Sequence, residues 1–240
     1  MDYGIQMYSV RDFTDKDLKG SLRKIAEMGY KYVEFAGFFG HSAEDVKSWL
    51  DEFGLKVSGT HTGLAELDND FEGTVRYHKT IGNRNYIIPG HDLSDQKKLD
   101  EFVEKVNRYA PLLAKGGITL GYHNHSHEFQ PNKDGSMIHE QLVYRTGIKL
   151  EIDTFWYFNG TGNCATGILE RLKDRVEFIH IKDGFKGGEG KPLGQGEAPL
   201  REVYDYCRDN GILMVVESES LKPDGMTEAK ICYDWLRAQE

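Results

Sequence analysis

The run VEFIHIKD (residues 176–183) decides the fold, because it joins the composition of a buried β-strand to an ionisable end. Aromatic and β-branched residues alternate with polar ones, a pattern that favours a strand. The run then finishes on His180, Lys182 and Asp183, and packing alone gives a core strand no reason to finish this way. Three other runs finish similarly: ITLGYHNH (118–125) with His123 and His125, IKLEIDT (148–154) with Asp153, and LMVVESE (213–219) with Glu217.

Four further strand-like runs precede these, so the chain contains eight in all. Segments with helical period separate them, and Pro111 is expected to kink or break the longest of these segments. The four earlier runs are YGIQMYSV (3–10), YKYVEFA (30–36), KVSGTHT (56–62) and RNYIIPG (84–90). The predicted helices cover 17–28, 43–53, 71–81, 95–115, 137–146, 164–173, 200–210 and 227–238.

This strict alternation implies parallel strands joined by right-handed crossovers. Eight units in 240 residues match the size of a (β/α)₈ TIM barrel, so we predict a single α/β domain over residues 1–240. A doubly wound open sheet is the alternative, but no GxGxxG motif follows the first run. The Gly-rich stretch 183–199 is interpreted as a long functional loop after the seventh strand.

Composition limits the classes of binding partner and the cellular compartment that we expect for this chain. The net charge of −9 argues against nucleic acid, because phosphate binding depends on clustered Lys and Arg. No apolar run approaches the roughly 20 residues of a membrane helix, and the N-terminus has no signal-peptide pattern. Three widely spaced cysteines favour free thiols in a reducing compartment. We therefore expect a cytoplasmic protein with a small-molecule substrate and no membrane or nucleic-acid partner; exposed barrel helices also make a homodimer possible.

The ends of the last four strands predict a metal site. In a barrel of this type the carboxyl ends of the strands meet at one mouth, so distant residues converge there. His123, Asp153, His180 and Glu217 would supply two imidazoles and two carboxylates. This mixed set suits one divalent Mn, Zn, Co or Fe ion. A lone strand-end Asp or His is more often a cap or a packed side chain; the argument depends on the agreement of four strands.

Other residues near the predicted mouth are candidates for binding substrate or moving protons. His61 ends the third run and would bind either substrate or a second metal, and Glu34 lies two residues before the end of the second run. His125 shares a strand face with His123. The remaining candidates are Glu128 as a second acid or base, Trp156 as an aromatic surface for a sugar ring, Lys182 as a cation for a developing oxyanion, and Asp183 as a substrate-binding residue or an orienting partner for Lys182.

Seven segments together resemble one family. They are GIQMYSVRD, YKYVEFAG, YHNHSHEF, LEIDTFW, FIHIKD, PLGQGE and VVESE, and they span nearly the whole chain in order. The chain resembles the sugar phosphate isomerase/epimerase group of xylose-isomerase-like barrels. The resemblance implies a metal held by strands five to eight and carries the family's Asp, His and Glu ligands over to Asp153, His180 and Glu217. At the fifth strand many relatives read ENH where this chain reads HNH, which leaves His123 or Glu128 to complete the set.

The resemblance implies an isomerase or epimerase that acts on a sugar, phosphorylated or not, by removing a proton alpha to a carbonyl. Glu217 or Glu128 would take the proton, and Lys182 would stabilise the developing charge. A lyase or dehydratase of a keto-inositol or 3-keto-glycoside is the first alternative, because it forms the same carbanion. A non-catalytic sugar-binding barrel is the second. The related three-zinc endonuclease is disfavoured, because one of its ligand positions falls near Trp156 and the net charge is −9.

Overall fold

The eight predicted strands close into one parallel barrel in a computed structural model that describes residues 1–240. Each strand pairs with its neighbours in chain order, and the first pairs with the last. The predicted TIM-barrel fold is therefore confirmed. The barrel strands are β1 (Gly4–Gln6), β2 (Tyr32–Phe35), β3 (Lys56–His61), β4 (Asn85–Ile88), β5 (Thr119–His123), β6 (Lys149–Asp153), β7 (Phe178–Ile181) and β8 (Leu213–Val216).

Helices surround the barrel, and all eight predicted helices are present to within three residues at each end. Three additional ones, α1, α4 and α8, were not predicted. The helices are α1 (Arg11–Thr14), α2 (Leu18–Met28), α3 (Ala43–Phe53), α4 (Leu64–Asn69), α5 (Phe71–Thr80), α6 (Gln96–Lys115), α7 (Ile138–Arg145), α8 (Thr154–Thr161), α9 (Thr166–Arg171), α10 (Leu200–Asn210) and α11 (Gly225–Ala238). Three-residue and four-residue 3₁₀ turns lie at Met7–Val10, His127–Phe129 and Lys173–Arg175. None of these helices has both the length and the apolarity needed to cross a bilayer.

Local chemistry sets several of the helix boundaries. The Ser42 hydroxyl accepts a hydrogen bond from the Asp45 amide at the start of α3, and Gly54 ends that helix with φ of +67°. Of the kink or break expected at Pro111, the break does not occur, because α6 continues through the proline. Leu113 lies beyond the proline and is fully buried, so packing of the apolar face holds the helix on both sides of the missing N–H donor.

The barrel interior changes from apolar to ionisable along the strands. Ile87, Phe178 and Val215 form a small apolar cluster, while His180 and Lys182 follow Phe178 on the same face of the chain. Gly121 makes room for this cluster, because a Cβ there would lie 2.5 Å from Ile87 Cδ1. The strands therefore rest on an apolar floor and present their ionisable residues toward the mouth.

Candidate metal centre

All four predicted metal ligands meet at the mouth of the barrel. One ligand atom each from His123, Asp153, His180 and Glu217 lies within 4.8 Å of the other three, and all four residues are buried. His180 Nδ1 lies 3.4 Å from a Glu217 oxygen and 4.0 Å from Asp153 Oδ2. We call these four residues the upper cluster.

The upper cluster fits a divalent ion on two observations. Asp153 Oδ2 and His180 Nδ1 are buried, lie 4.0 Å apart and have no hydrogen-bond partner in the protein. Buried polar atoms are nearly always paired, so two orphaned atoms this close indicate a missing shared partner. Two carboxylates and two imidazoles are also a donor set that Mn, Zn, Co and Fe accept.

Backbone contacts at the end of β6 fix Asp153. Its Oδ1 accepts a 2.7 Å hydrogen bond from the Trp156 amide and so caps α8. The Asn124 side chain bonds the Asp153 backbone on both sides, as acceptor from its N–H at 3.1 Å and as donor to its carbonyl at 3.3 Å. One carboxylate oxygen is thus occupied, and the orphaned Oδ2 remains to face His180.

Burial and the neighbouring charges set the protonation of this cluster. Burial raises the pKa of Asp153 to about 7, although Lys182 acts against the rise. Burial also acts to raise the pKa of Glu217, but Lys182 and His180 hold it well below its ordinary value. Glu217 is therefore ionised at neutral pH, while Asp153 is poised to lose its proton when a cation arrives.

A second group of ionisable side chains lies deeper in the barrel. His61 Nε2 lies 2.7 Å from Glu151 Oε2, and His180 Nε2 lies 2.6 Å from Glu34 Oε2. His123 Nδ1 lies 3.1 Å from the same Glu151 oxygen. We call Glu34, His61, His123 and Glu151 the lower cluster. His123 belongs to both clusters, and His180 of the upper cluster also faces the lower one.

The lower cluster changes what was expected of its members. Glu34 was predicted to bind substrate, but it is fully buried and hydrogen-bonded to a histidine of the upper cluster. The His61 side chain is only 8% exposed and points its ring nitrogen at Glu151. Sequence reasoning missed Glu151, yet a signal existed, because Glu151 precedes Asp153 by two residues and so shares its face of β6.

A cavity of about 410 Å³ opens beside the two clusters, and its wall includes His123, Glu217 and also His61, which was predicted to contact substrate. The His125 side chain is 39% exposed and lies on this wall, where it was predicted to contact substrate. Glu219 also lines the cavity and was not predicted; like Glu217 it follows β8, two residues further on. The lining residues are Tyr8, Ala36, His61, Pro89, His123, His125, Glu217 and Glu219.

Lys182 joins the cavity wall to the metal ligands. Its ammonium group donates to a Glu217 oxygen at 3.0 Å and also to Glu219. The same nitrogen lies 4.6 Å from the centre of the Trp156 ring, a cation–π contact. Trp156 therefore packs against Lys182 from the first turn of α8, and the cavity lining does not include it.

Glu128 and Asp183 lie outside both clusters. Glu128 is fully buried and accepts hydrogen bonds from the Tyr122 hydroxyl at 2.9 Å and from the His125 amide at 2.8 Å. Asp183 accepts from four backbone amides of the Gly-rich loop, those of Gly184, Gly194, Gly196 and Ala198. These contacts place Glu128 beneath His125 and make Asp183 an anchor for the loop, and they lend no support to the proton-transfer and substrate-binding roles predicted for the two residues.

Comparison with known proteins agrees with this architecture. The profile of the family described as xylose isomerase-like TIM barrel matches residues 22–239. The chain therefore belongs to the xylose isomerase-like TIM barrel family, and the resemblance seen in its motifs is confirmed.

Three relatives illustrate the range of this family. The chain is 24% identical to a 2-oxo-tetronate isomerase of Haemophilus influenzae, over 88% of this chain and 90% of that protein. It is 22% identical to an inosose dehydratase of Lactiplantibacillus plantarum, over 93% and 89%. Its fold matches the crystal structure of a sugar phosphate isomerase/epimerase from Parabacteroides distasonis with a TM-score of 0.83, at 22% identity over 99% and 93% of the two chains.

Proposed function

We propose that this protein is a divalent-metal-dependent isomerase or epimerase that removes a proton alpha to the carbonyl of a sugar. The upper cluster carries this proposal, because it holds the orphaned Asp153 and His180 atoms and contributes His123 and Glu217 to the wall of a cavity large enough for a sugar. A divalent ion held by Asp153, His180 and Glu217, with His123 beside them, would supply Lewis-acid polarisation of the substrate carbonyl.

The protein's own side chains would move the proton. Glu219 is the cavity carboxylate that belongs to neither cluster, and it would act as the base while Lys182 holds it in place. His125 lies on the same cavity wall and would return or supply a proton. Lys182 donates to both Glu217 and Glu219, so its charge would stabilise an oxyanion that develops beside them.

The cavity favours a sugar without a phosphate group. None of the eight lining residues is Lys or Arg, and Lys182 behind them is already paired with two carboxylates. Phosphate recognition normally requires Arg, Lys or a helix N-terminus. Two carboxylates on the wall would also repel a dianion.

A lyase or dehydratase acting on a keto-sugar is the second candidate, and His125 favours it. Burial acts to lower the pKa of His125, but the hydrogen bond and charge of Glu128 raise it above its ordinary value. A protonated imidazole at the cavity wall can donate to a departing hydroxyl or alkoxide. The similarity to an inosose dehydratase supports the same reading.

Solvent isotope exchange separates these candidates. The Mn²⁺-loaded protein is incubated in D₂O with a panel of ketoses, keto-inositols and 3-keto-glycosides, and NMR follows deuterium uptake and leaving-group loss. We expect exchange that falls at least about 100-fold in Asp153→Asn and in Glu219→Gln, and stays unchanged in Glu197→Gln, which alters an exposed loop carboxylate. Loss of a leaving group, with or without deuterium uptake, would favour the lyase. No reaction with any member of the panel would contradict both.

A further inference from the structure

We propose that the lower cluster binds a second divalent cation, beneath the one in the upper cluster. Its ligands are His61 Nε2, His123 Nδ1 and the carboxylates of Glu151 and Glu34. The inference rests on the proposed metal-dependent function and adds a site to it. It gives His123 to the deeper ion and leaves Asp153, His180 and Glu217 for the upper one.

The spacing of the ligand atoms matches one coordination shell. Bonds of about 2.1 Å place neighbouring ligands about 3.0 Å apart around an octahedral ion and about 3.4 Å apart around a tetrahedral one. In the lower cluster, Glu151 Oε2 lies 2.7 Å from His61 Nε2 and 3.1 Å from His123 Nδ1. His61 Nε2 lies 3.5 Å from Glu34 Oε1. These separations span the expected range.

Orphaned oxygens point to a missing cation at this level of the barrel. Glu34 Oε1 and Glu151 Oε1 are both buried without a hydrogen-bond donor, and both residues are at most 2% exposed. His61 Nε2 lies 3.5 Å from a Glu34 oxygen and 2.7 Å from a Glu151 oxygen, so the two carboxyl groups face the same position from either side. A cation held there would pair both carboxylates.

Buried carboxyl groups lie at both levels of the barrel, but the lysine lies at only one. Lys182 lies next to Asp153 and Glu217 of the upper cluster. The ionisable groups that face Glu34 and Glu151 are the histidines His61, His123 and His180. A divalent ion in the lower cluster would pair both carboxylates with the histidines neutral, and a paired buried charge is far less costly than an unpaired one.

The His180 ring separates the two sites. Its Nδ1 faces Asp153 and Glu217, while its Nε2 lies 2.6 Å from Glu34 Oε2. With Nδ1 on the upper ion, Nε2–H donates to a carboxylate of the lower site, an arrangement that fixes the ring of a metal-bound histidine. The upper ion then keeps three protein ligands and open positions for substrate.

Metal counting on the full-length protein tests this inference. The protein is stripped with chelator, loaded with Mn²⁺, freed of excess ion and analysed by mass spectrometry for metal and by EPR. We expect two ions per chain with a spin-coupled EPR spectrum. Glu151→Gln and Asp153→Asn should each retain one ion with an uncoupled six-line spectrum, and Glu189→Gln, which alters an exposed carboxylate, should retain two.

The two proposals fail in different ways. One ion in the wild type that Glu151→Gln keeps and Asp153→Asn loses would overturn the second site, assign protons to the lower cluster and leave the proposed function standing. No bound ion in the wild type would overturn both. The wild-type stoichiometry and spectrum decide the matter even if a variant fails to fold, and His61→Gln offers a milder change at the rim of the lower cluster.

Discussion

Replacing Asp183 by Asn should loosen the Gly-rich loop without touching the metal ligands. Asp183 Oδ2 accepts hydrogen bonds from the Gly194 amide at 2.9 Å and the Gly196 amide at 2.8 Å, and Oδ1 accepts from two more amides. An asparagine has one carbonyl oxygen, so its NH₂ group would face two N–H donors. Two of the four hydrogen bonds are lost and the remaining two lose their charge.

The magnitude follows from those bonds. A hydrogen bond to a charged group contributes about 1.5–3 kcal/mol, so losing two costs at least about 3 kcal/mol of loop stability. Because about 1.4 kcal/mol is a factor of ten, the protected loop amides should exchange with solvent at least about 100-fold faster. Global unfolding changes less, because the loop opens on its own.

Amide hydrogen exchange measured by NMR at Gly194 and Gly196 provides the readout. Glu197→Gln is the matched control, because it changes a carboxylate of the same loop that accepts a single amide hydrogen bond at the surface. Bound metal should be unchanged in both variants. If the two glycine amides of Asp183→Asn exchange less than about threefold faster than in the wild type, the anchoring role is wrong.

Three other predictions concern stability and reactivity. Burial lowers the pKa of His139 to about 4, so below about pH 6.5 the unfolded chain takes up a proton that the native chain excludes. The free energy of unfolding should therefore fall by about 3 kcal/mol as the pH drops from about 6.5 to 4. In urea unfolding, His139→Gln should show a weaker dependence of this free energy on pH, and the same dependence in variant and wild type would contradict the prediction. Gly29→Ala should lower the free energy of unfolding, measured by thermal unfolding, by about 2 kcal/mol or more. Gly29 has φ of +114°, and a Cβ there would lie 2.2 Å from the Tyr233 hydroxyl. Gly147→Ala is the control, because a Cβ at Gly147 would meet no other atom. In the native protein a thiol reagent should label the half-buried Cys164 alone, because burial raises the pKa of the other two thiols to about 12; three fast-reacting thiols would refute this.

The two-layer arrangement has a consequence for how this barrel handles charge. A TIM barrel normally fills its interior with apolar side chains, and here Ile87, Phe178 and Val215 form such a cluster. Above it, Glu34 and Glu151 are buried among histidines. Buried charges destabilise a fold unless they are paired, so the metal ions that we propose would stabilise the folded state as well as the transition state.

The strand alternation and the strand ends could be read from the sequence because both are local patterns. Hydrophobic period and turn residues depend on neighbours a few positions away, and the eight strands follow from them. The upper cluster follows as well, since Asp153, His180 and Glu217 all stand at the carboxyl ends of strands that a parallel barrel must bring to one mouth.

Depth within the barrel was decided by the tertiary structure. Glu34 lies where the pairing of β2 with β3 shifts its register, and local periodicity does not encode such a shift. Its carboxyl group lies below the mouth of the barrel, hydrogen-bonded to His180. Glu128 and Asp183 looked like free acids in the sequence. In the structure their oxygens accept hydrogen bonds from a hydroxyl and from backbone amides that the folded turns and the Gly-rich loop bring to them from three to fifteen residues away. Short-range sequence patterns report which face a residue takes. The distance across a closed barrel depends on the register of all eight strands together, and only the folded chain sets it.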